Sequence, residues 1–148
     1  MYKLILTPLD GSPMAEQALP HATAQAERFQ AELVLLKVLP PLAETRNLPI
    51  RAVRKAQEMT RGLAQEYLDR IATEIQGRDD IRVRVVMIEG QPHVQIIRFA
   101  EEEQVDLIVI CTRGHSGFSR WLMGSVADRV ARGVSIPVLL VRAQKKGS

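Results

Sequence analysis

The sequence is poor in cysteine and in aromatic residues. Its single cysteine, Cys111, excludes an internal disulfide, and three Phe, two Tyr and one Trp offer few rings for stacking on nucleic-acid bases. No apolar run approaches the roughly eighteen residues of a membrane-spanning helix. The chain begins with a short strand pattern rather than with the basic and apolar segments of a signal peptide. We therefore expect a cytoplasmic protein without a membrane partner.

A strong charge of one sign is also missing. Twenty basic and seventeen acidic side chains leave a formal net charge of +3 over 148 residues. Nucleic-acid-binding domains carry a larger basic excess gathered on one face, so we expect no nucleic-acid partner. The chain is instead rich in aliphatic residues, with 46% hydrophobic side chains. This is enough to bury the core of one domain spanning residues 1–148.

Hydrophobic periodicity predicts five strands that alternate with four helices. Such alternation is typical of a parallel sheet with right-handed crossovers and helices on both faces, which is a Rossmann-like, three-layer α/β/α sandwich. The strands are predicted over residues 3–9, 31–39, 81–89, 107–111 and 136–141. The first helix is predicted to be capped by Asp10 or Ser12, with Pro13 at its first position.

The longest helix is predicted over residues 51–76, with Gly77 ending it. Apolar side chains recur along it at steps of three and four residues, so they are predicted to face the core. These positions are Val53, Ala56, Thr60, Leu63, Ala64, Tyr67, Leu68, Ile71 and Ile75.

The most specific motif lies between the fourth strand and the last helix. Nine residues separate Gly114 from Gly124, Ser125 follows directly, and Cys111 stands three positions before Gly114. A strand, a loop with glycines and a helix bring the helix N-terminus to the end of the strand. Its unpaired N–H groups and its dipole suit a phosphate there. The pattern alone names no ligand, because a glycine at such a corner can simply turn the chain.

This spacing resembles the nucleotide-binding subgroup of the universal stress protein family, whose motif is Gly-x2-Gly-x9-Gly-Ser/Thr. The resemblance extends over residues 3–142, with Cys111 in place of the first glycine. It implies the strand order 3-2-1-4-5, similar to the adenine nucleotide α-hydrolase-like fold, with a ligand crevice between the first and fourth strands. It also implies a homodimer formed by the last strand, which is predicted to begin at Ile136 and end at Val141.

The resemblance further implies which residues bind the nucleotide. Asp10 would face the adenosine part and Val38 the base, while the motif glycines and Ser125 would wrap the phosphates. Alternatives remain, because Asp10 can be a helix cap and Val38 a core residue. His115 can likewise be a plain loop residue. The full predicted set is Pro8, Asp10, Val38, Arg113, Gly114, His115, Gly117, Gly124, Ser125 and Val126.

The leading hypothesis for function is an ATP-binding stress or signalling dimer, with Mg²⁺ only as a companion of the phosphates. The alternative is a family member that binds no nucleotide and serves as a structural or protein-interaction dimer. Cys111 motivates it, since a motif position that needs a left-handed backbone would exclude cysteine. We favour tolerance, with ordinary strand dihedrals at Cys111. The chain lacks a Gly-x-Ser-x-Gly elbow and a phosphate-loop motif, so we expect binding and at most slow hydrolysis.

Overall fold

The computed structural model describes residues 1–41, 47–112 and 124–144. Within these ranges five parallel strands form one sheet in the order β3-β2-β1-β4-β5. This confirms the predicted Rossmann-like α/β fold and strand order. The strands are β1 (Leu4–Pro8), β2 (Glu32–Leu39), β3 (Val83–Glu89), β4 (Leu107–Thr112) and β5 (Val138–Arg142), and the helices are α1 (Leu19–Phe29), α2 (Ile50–Arg78), α3 (Pro92–Glu102) and α4 (Ser125–Gly133).

The central strands are buried on both faces, which explains why they appear in the sequence as continuous apolar runs. Successive side chains point to opposite sides, so Ile5 packs with α1 and α2 while Leu6 packs with α3 and α4. Strand β3 lies at an edge and its side chains are mostly half-buried, as expected from its mixed pattern. Within the described residues, no helix combines the length and the apolar character that crossing a membrane requires.

The segment after β1 differs from the prediction of a capped helix starting at Pro13. The chain first makes a short 3₁₀ helix (Ala15–Ala18), and α1 begins only at Leu19. The hydroxyl of Ser12 still accepts a hydrogen bond from the Ala15 N–H at 3.2 Å. Ser12 therefore closes the turn at Pro13 and Met14, and the predicted helix cap is wrong because neither the 3₁₀ helix nor α1 has a side-chain cap.

Helix α2 departs from the prediction at its end and along its first half. Gly77 lies inside the helix, which ends where Asp79 takes extended dihedrals (φ −123°, ψ 142°). The predicted core residues from Ala64 onward are confirmed, with Leu68 and Ile75 buried. The prediction is wrong for Ala56, Thr60 and Leu63, which are exposed, Leu63 by 62%. The periodicity continues toward the N-terminus, but α2 is buried against the sheet only from Ala64 on.

Candidate functional site

A pocket with a volume of about 330 Å³ opens at the carboxyl ends of β1, β2 and β4. The strand order reverses between β1 and β4, and open α/β sheets bind their ligands at such a point. The volume lies at the lower end of the roughly 300–1,000 Å³ typical of small-molecule sites. The described residues that line the pocket are Pro8, Leu9, Asp10, Ser12, Met14, Ala15, Leu36, Val38, Pro92, Ile96, Ile110, Cys111, Thr112, Gly124, Ser125, Val126 and Ala127.

Six of the ten predicted site residues line this one pocket, although they come from three separate parts of the chain. They are Pro8, Asp10, Val38, Gly124, Ser125 and Val126. The other four, Arg113, Gly114, His115 and Gly117, lie outside the described residues. The sheet topology thus brings the end of β1, the end of β2 and the start of α4 to a common cavity.

Asp10 is held in a tight turn at the mouth of the pocket. Its Oδ1 accepts hydrogen bonds from the Ser12 N–H at 2.9 Å and from the Ser12 hydroxyl at 2.6 Å. Gly11 between them has φ +90°, a value that side chains other than glycine rarely adopt. Asp10 therefore stabilises this turn, which is not a helix cap because α1 begins only at Leu19, and it also lines the pocket.

The N-terminus of α4 forms the opposite wall. Gly124 is the non-helical cap residue (φ −48°, ψ 146°) and Ser125 is the first helical residue, as predicted. The first backbone bond of this helix runs from the Asp128 N–H to the Gly124 carbonyl at 2.9 Å. The N–H groups of Ser125, Val126 and Ala127 precede it and have no partner inside the helix. Such a helix start is suited to an anionic group.

Cys111 lies in β4, where it pairs with Val141 of β5. Among the described residues, the non-glycine positions with positive φ are Gln30 and Gln104, so Cys111 has an ordinary strand backbone. The expected ordinary strand dihedrals at Cys111 are therefore found, and the tolerance of its side chain by a ligand stays a prediction. Burial, and then the charge of Asp10, raise the pKa of the thiol above its ordinary value, which keeps it protonated near neutral pH.

The inner part of the pocket is apolar and includes residues that sequence reasoning missed. Leu36, Ile110 and Ala127 are buried in the wall, and α3 adds Pro92 and Ile96. The sequence analysis did not assign α3 to the site. The order 3-2-1-4-5 contained the signal, because the crossover from β3 to β4 must pass over β2 and β1. This places α3 above the ends of these two strands.

A polar cluster lies on the other face of the sheet, near the Asp10 turn. The Tyr67 hydroxyl of α2 donates a hydrogen bond to Glu16 Oε2 at 3.1 Å. The Lys37 ammonium is 6.0 Å from the centre of the Tyr67 ring. Burial raises the pKa of Tyr67, and the charge of Glu16 raises it further. The cluster joins α2 to the 3₁₀ helix that follows the turn.

The charged chemistry of the pocket is sparse. Asp10 is the one carboxylate among the described residues that line it. In the part of the chain that the structure describes, no three His, Cys, Asp or Glu side chains come together as a metal site. The described part of the site can hold a ligand with an apolar body, a donor near Asp10 and an anion near α4.

Comparisons with known proteins all indicate the same family. The family model described as "Universal stress protein family" matches residues 1–142. Universal stress protein MJ0531 of Methanocaldococcus jannaschii is 34% identical over 147 residues, covering 99% of this chain and 85% of that protein. The structure of protein MJ0577 has a TM-score of 0.74 at 31% identity, covering 99% of both chains.

A third similar structure is a universal stress protein in complex with cAMP. Its TM-score is 0.71 at 24% identity, and the match covers 97% of this chain and 98% of that one. At this identity the similarity shows a shared fold. Since the family model matches nearly the whole chain and a relative above 30% identity extends over it, this chain belongs to the universal stress protein family.

Proposed function

We propose that this protein is a cytoplasmic, ATP-binding homodimer that acts in a stress or signalling response. The observation that carries the proposal is the convergence of Asp10, Val38 and Ser125 on one pocket at the switch point of the sheet. Each of these residue types fits a different part of an adenine nucleotide. The proposal is supported by a universal stress protein of the same fold that was solved in complex with cAMP, an adenine nucleotide.

The adenine base suits the apolar part of the pocket. Val38 at the end of β2 is half-buried, and the neighbouring Leu36 and Ile110 are buried. A planar heterocycle gains from leaving water for such a surface. The carboxylate of Asp10 is an acceptor, which suits the exocyclic amine of adenine or the ribose hydroxyls. The same carboxylate would repel phosphates, so it favours an orientation of the nucleotide in which the phosphates lie away from Asp10.

The phosphates suit the start of α4. The N–H groups of Ser125 and Val126 open the helix at the pocket wall, and the Ser125 hydroxyl adds a further donor. Arg113, Gly114, His115 and Gly117 remain proposed phosphate contacts from the sequence motif. Mg²⁺ would accompany the phosphates, since it usually binds nucleotides through phosphate oxygens and a few protein ligands.

We expect binding with at most slow hydrolysis. Asp10 already accepts two hydrogen bonds from Ser12 and sits at the adenosine end of the proposed orientation. A general base must reach the attacking water beside the last phosphate, and Asp10 in this orientation lies at the other end of the nucleotide.

The second candidate function is an interaction dimer that binds no nucleotide. It is motivated by Cys111, whose side chain lines the pocket.

The test is calorimetric titration of ATP with Mg²⁺ into wild type, Ser125→Ala and Ser125→Asp. An aspartate at the first helical position stabilises the helix through its dipole, but it places a negative charge beside the proposed phosphate site. We therefore expect Ser125→Asp to keep or raise the melting temperature and to weaken ATP binding by about tenfold or more. Ser125→Ala should lose less affinity, because only the hydroxyl is removed.

Adenosine is the matched control ligand, since it lacks the phosphates. Its affinity should be the same for Ser125→Asp and wild type, which locates the loss at the phosphates. Mass spectrometry of ligand released from the purified protein shows whether an adenine nucleotide is carried along. No heat with ATP, AMP, cAMP or cyclic dinucleotides, together with no released nucleotide, would reject the proposal in favour of the interaction dimer.

A further inference from the structure

The segment that follows β5 is fastened to the 3₁₀ helix beside the pocket. The side-chain amide of Gln17 donates a hydrogen bond to the Gln144 carbonyl at 2.8 Å, and its Oε1 accepts one from the Gln144 N–H, also at 2.8 Å. A primary amide offers a donor and an acceptor side by side, so Gln17 binds the backbone of residue 144 as a residue of a neighbouring antiparallel strand would. We call these two hydrogen bonds the clasp.

The same 3₁₀ helix also forms part of the pocket wall. Met14, which precedes it, and Ala15, its first residue, both line the pocket. Strand β5 is parallel to β4, so its last residue, Arg142, lies at the end of the sheet where the pocket opens. Ala143 is buried, and the chain then reaches the clasp at Gln144. One side of the 3₁₀ helix therefore faces the pocket, while another holds the segment after β5.

The position of the 3₁₀ helix depends on the partners of its side chains. The helix is four residues long, and the hydrogen-bond geometry of such a helix is poorer than that of an α-helix. Ala18 is fully buried in the core, and Glu16 accepts a hydrogen bond from Tyr67 of α2. Gln17 adds the clasp. Opening the clasp therefore removes one of the contacts that hold Ala15 in the pocket wall.

We propose that Gln17 is a positioning residue for the pocket and that the clasp couples ligand binding to the segment after β5. This inference rests on the proposed nucleotide binding and names a regulation of that site. A ligand that packs on Met14 and Ala15 stabilises the 3₁₀ helix in its observed place, and so it favours the closed clasp. Coupling between two sites is reciprocal, so the closed clasp also favours the ligand. The state of the pocket thereby reaches the exposed residue Gln144 beside β5.

The clasp is weak enough to respond to a ligand. Both of its hydrogen bonds are exposed to solvent, so water competes for the same donors and acceptors and the net stabilisation is small. The clasp is thus expected to open and close while the rest of the fold stays intact. A ligand that binds the closed form about fivefold better than the open form raises the ratio of closed to open clasp by the same factor.

The test is hydrogen exchange of the Gln144 amide, followed by NMR with and without saturating ATP and Mg²⁺. This N–H donates to Gln17 Oε1, so its exchange rate reports how often the clasp opens. In wild type, ATP should slow the exchange by about fivefold. In Gln17→Ala the exchange should be faster without ATP and should not respond to ATP. By reciprocity, titration calorimetry should show that Gln17→Ala binds ATP about fivefold more weakly.

Two further variants separate the clasp from general damage to the fold. Gln17→Glu keeps the size of the side chain but replaces the donor with a carboxylate oxygen that faces the Gln144 carbonyl, so it should behave like Gln17→Ala. Gln144→Ala is the matched control, because the clasp uses only the backbone of residue 144. It should keep the ATP affinity of wild type and the protection by ATP. The melting temperatures of all variants should stay within about 4 °C of wild type.

Three results would overturn the inference. Wild type binds ATP but the exchange rate of the Gln144 amide does not change, or Gln17→Ala binds ATP as tightly as wild type, or Gln144→Ala loses as much affinity as Gln17→Ala. Failure of the proposed function gives a different result, since calorimetry then shows no heat when ATP is added to wild type. The coupling falls with it, although the Gln144 amide still exchanges faster in Gln17→Ala than in wild type.

Discussion

Cys111 decides whether the missing motif glycine matters. Its backbone is ordinary strand, paired with Val141, so the protein does not need a glycine there for conformational reasons. Cys111→Gly should therefore change ATP affinity by less than about threefold, which is under 1 kcal/mol. It should lower the free energy of unfolding by about 1 kcal/mol, since glycine weakens a strand. Titration calorimetry and urea denaturation measure the two effects.

The opposite result for Cys111 has a clear meaning. If the thiol blocks the pocket, wild type binds no ATP and Cys111→Gly gains binding. Thiol labelling gives an independent check, because Cys111 lines the pocket and its raised pKa keeps the reactive thiolate scarce. ATP should slow the labelling further, and Cys111→Ser is the control for labelling elsewhere.

Tyr67 connects the long helix to the segment beside the pocket, and its raised pKa makes this link sensitive to alkali. The unfolded chain releases the phenol proton near the ordinary value of about 10, whereas the folded protein retains it to higher pH. The stabilisation from the Tyr67–Glu16 bond is thus complete below about pH 10 and decreases above it. Tyr67→Phe should lower the unfolding free energy by about 1 kcal/mol at neutral pH.

The measurement is urea denaturation of wild type and Tyr67→Phe from neutral pH to about pH 11. The difference between the two should be constant up to about pH 10 and shrink beyond. A double-mutant cycle with Glu16→Gln isolates the bond, because the effect of Tyr67→Phe should be smaller without the carboxylate. A difference that is independent of both pH and Glu16 would contradict this role.

The two halves of α2 should differ in local stability. Residues from Ala64 onward bury one face against the sheet, whereas positions 50–63 are exposed except for the half-buried Val53. A helix stretch of this length is marginal without packing. Amides of residues 54–63 should therefore exchange hydrogen more than about tenfold faster than those of residues 64–75. Exchange followed by NMR or mass spectrometry measures this, and uniform protection along α2 would contradict it.

The sequence was sufficient to predict most of the helices and strands because the spacing of their apolar residues follows the local geometry of each element. It was insufficient where the structure depends on which elements pack against each other. Leu63 fits the three- and four-residue steps of α2, yet at about 100° per residue it lies roughly 120° around the helix from the buried line, and it is exposed. Gly77 resembles a helix end, yet it lies inside α2, which continues to Arg78. Capping residues mark the start at Ser12, but they do not distinguish a 3₁₀ turn from an α-helix.

The candidate site was predictable to the extent that strand ends converge. Asp10, Val38 and Ser125 each follow or end a predicted strand or open a helix, so topology alone brings them together. The contribution of α3 required the strand order, which came from the family resemblance and not from periodicity. The depth of the apolar wall at Ile96 and Ala127 depends on side-chain packing between α3 and α4, which no local pattern specifies.

Strand β5 makes the assembly of the whole molecule testable. Within the described residues it pairs with β4 alone, and Val138, Leu139 and Leu140 are half-buried. An apolar strand edge invites pairing with another chain, and a two-fold axis makes such a contact self-complementary. We expect sedimentation to give the mass of a dimer. Leu139→Lys should shift it to the monomer, because a lysine on an edge strand opposes pairing while its stem still covers the strand.

The control for this dimer is Ala24→Lys, which adds the same charge at an exposed position of α1 and should leave the dimer intact. The described residues that line the pocket include none from β5, so monomeric Leu139→Lys should bind ATP within about threefold of wild type. Loss of ATP binding together with the dimer would mean that a second chain completes the site. If the wild-type protein sediments as a monomer, the prediction of a dimer through β5 is wrong. The nucleotide would then have no dimer surface to alter.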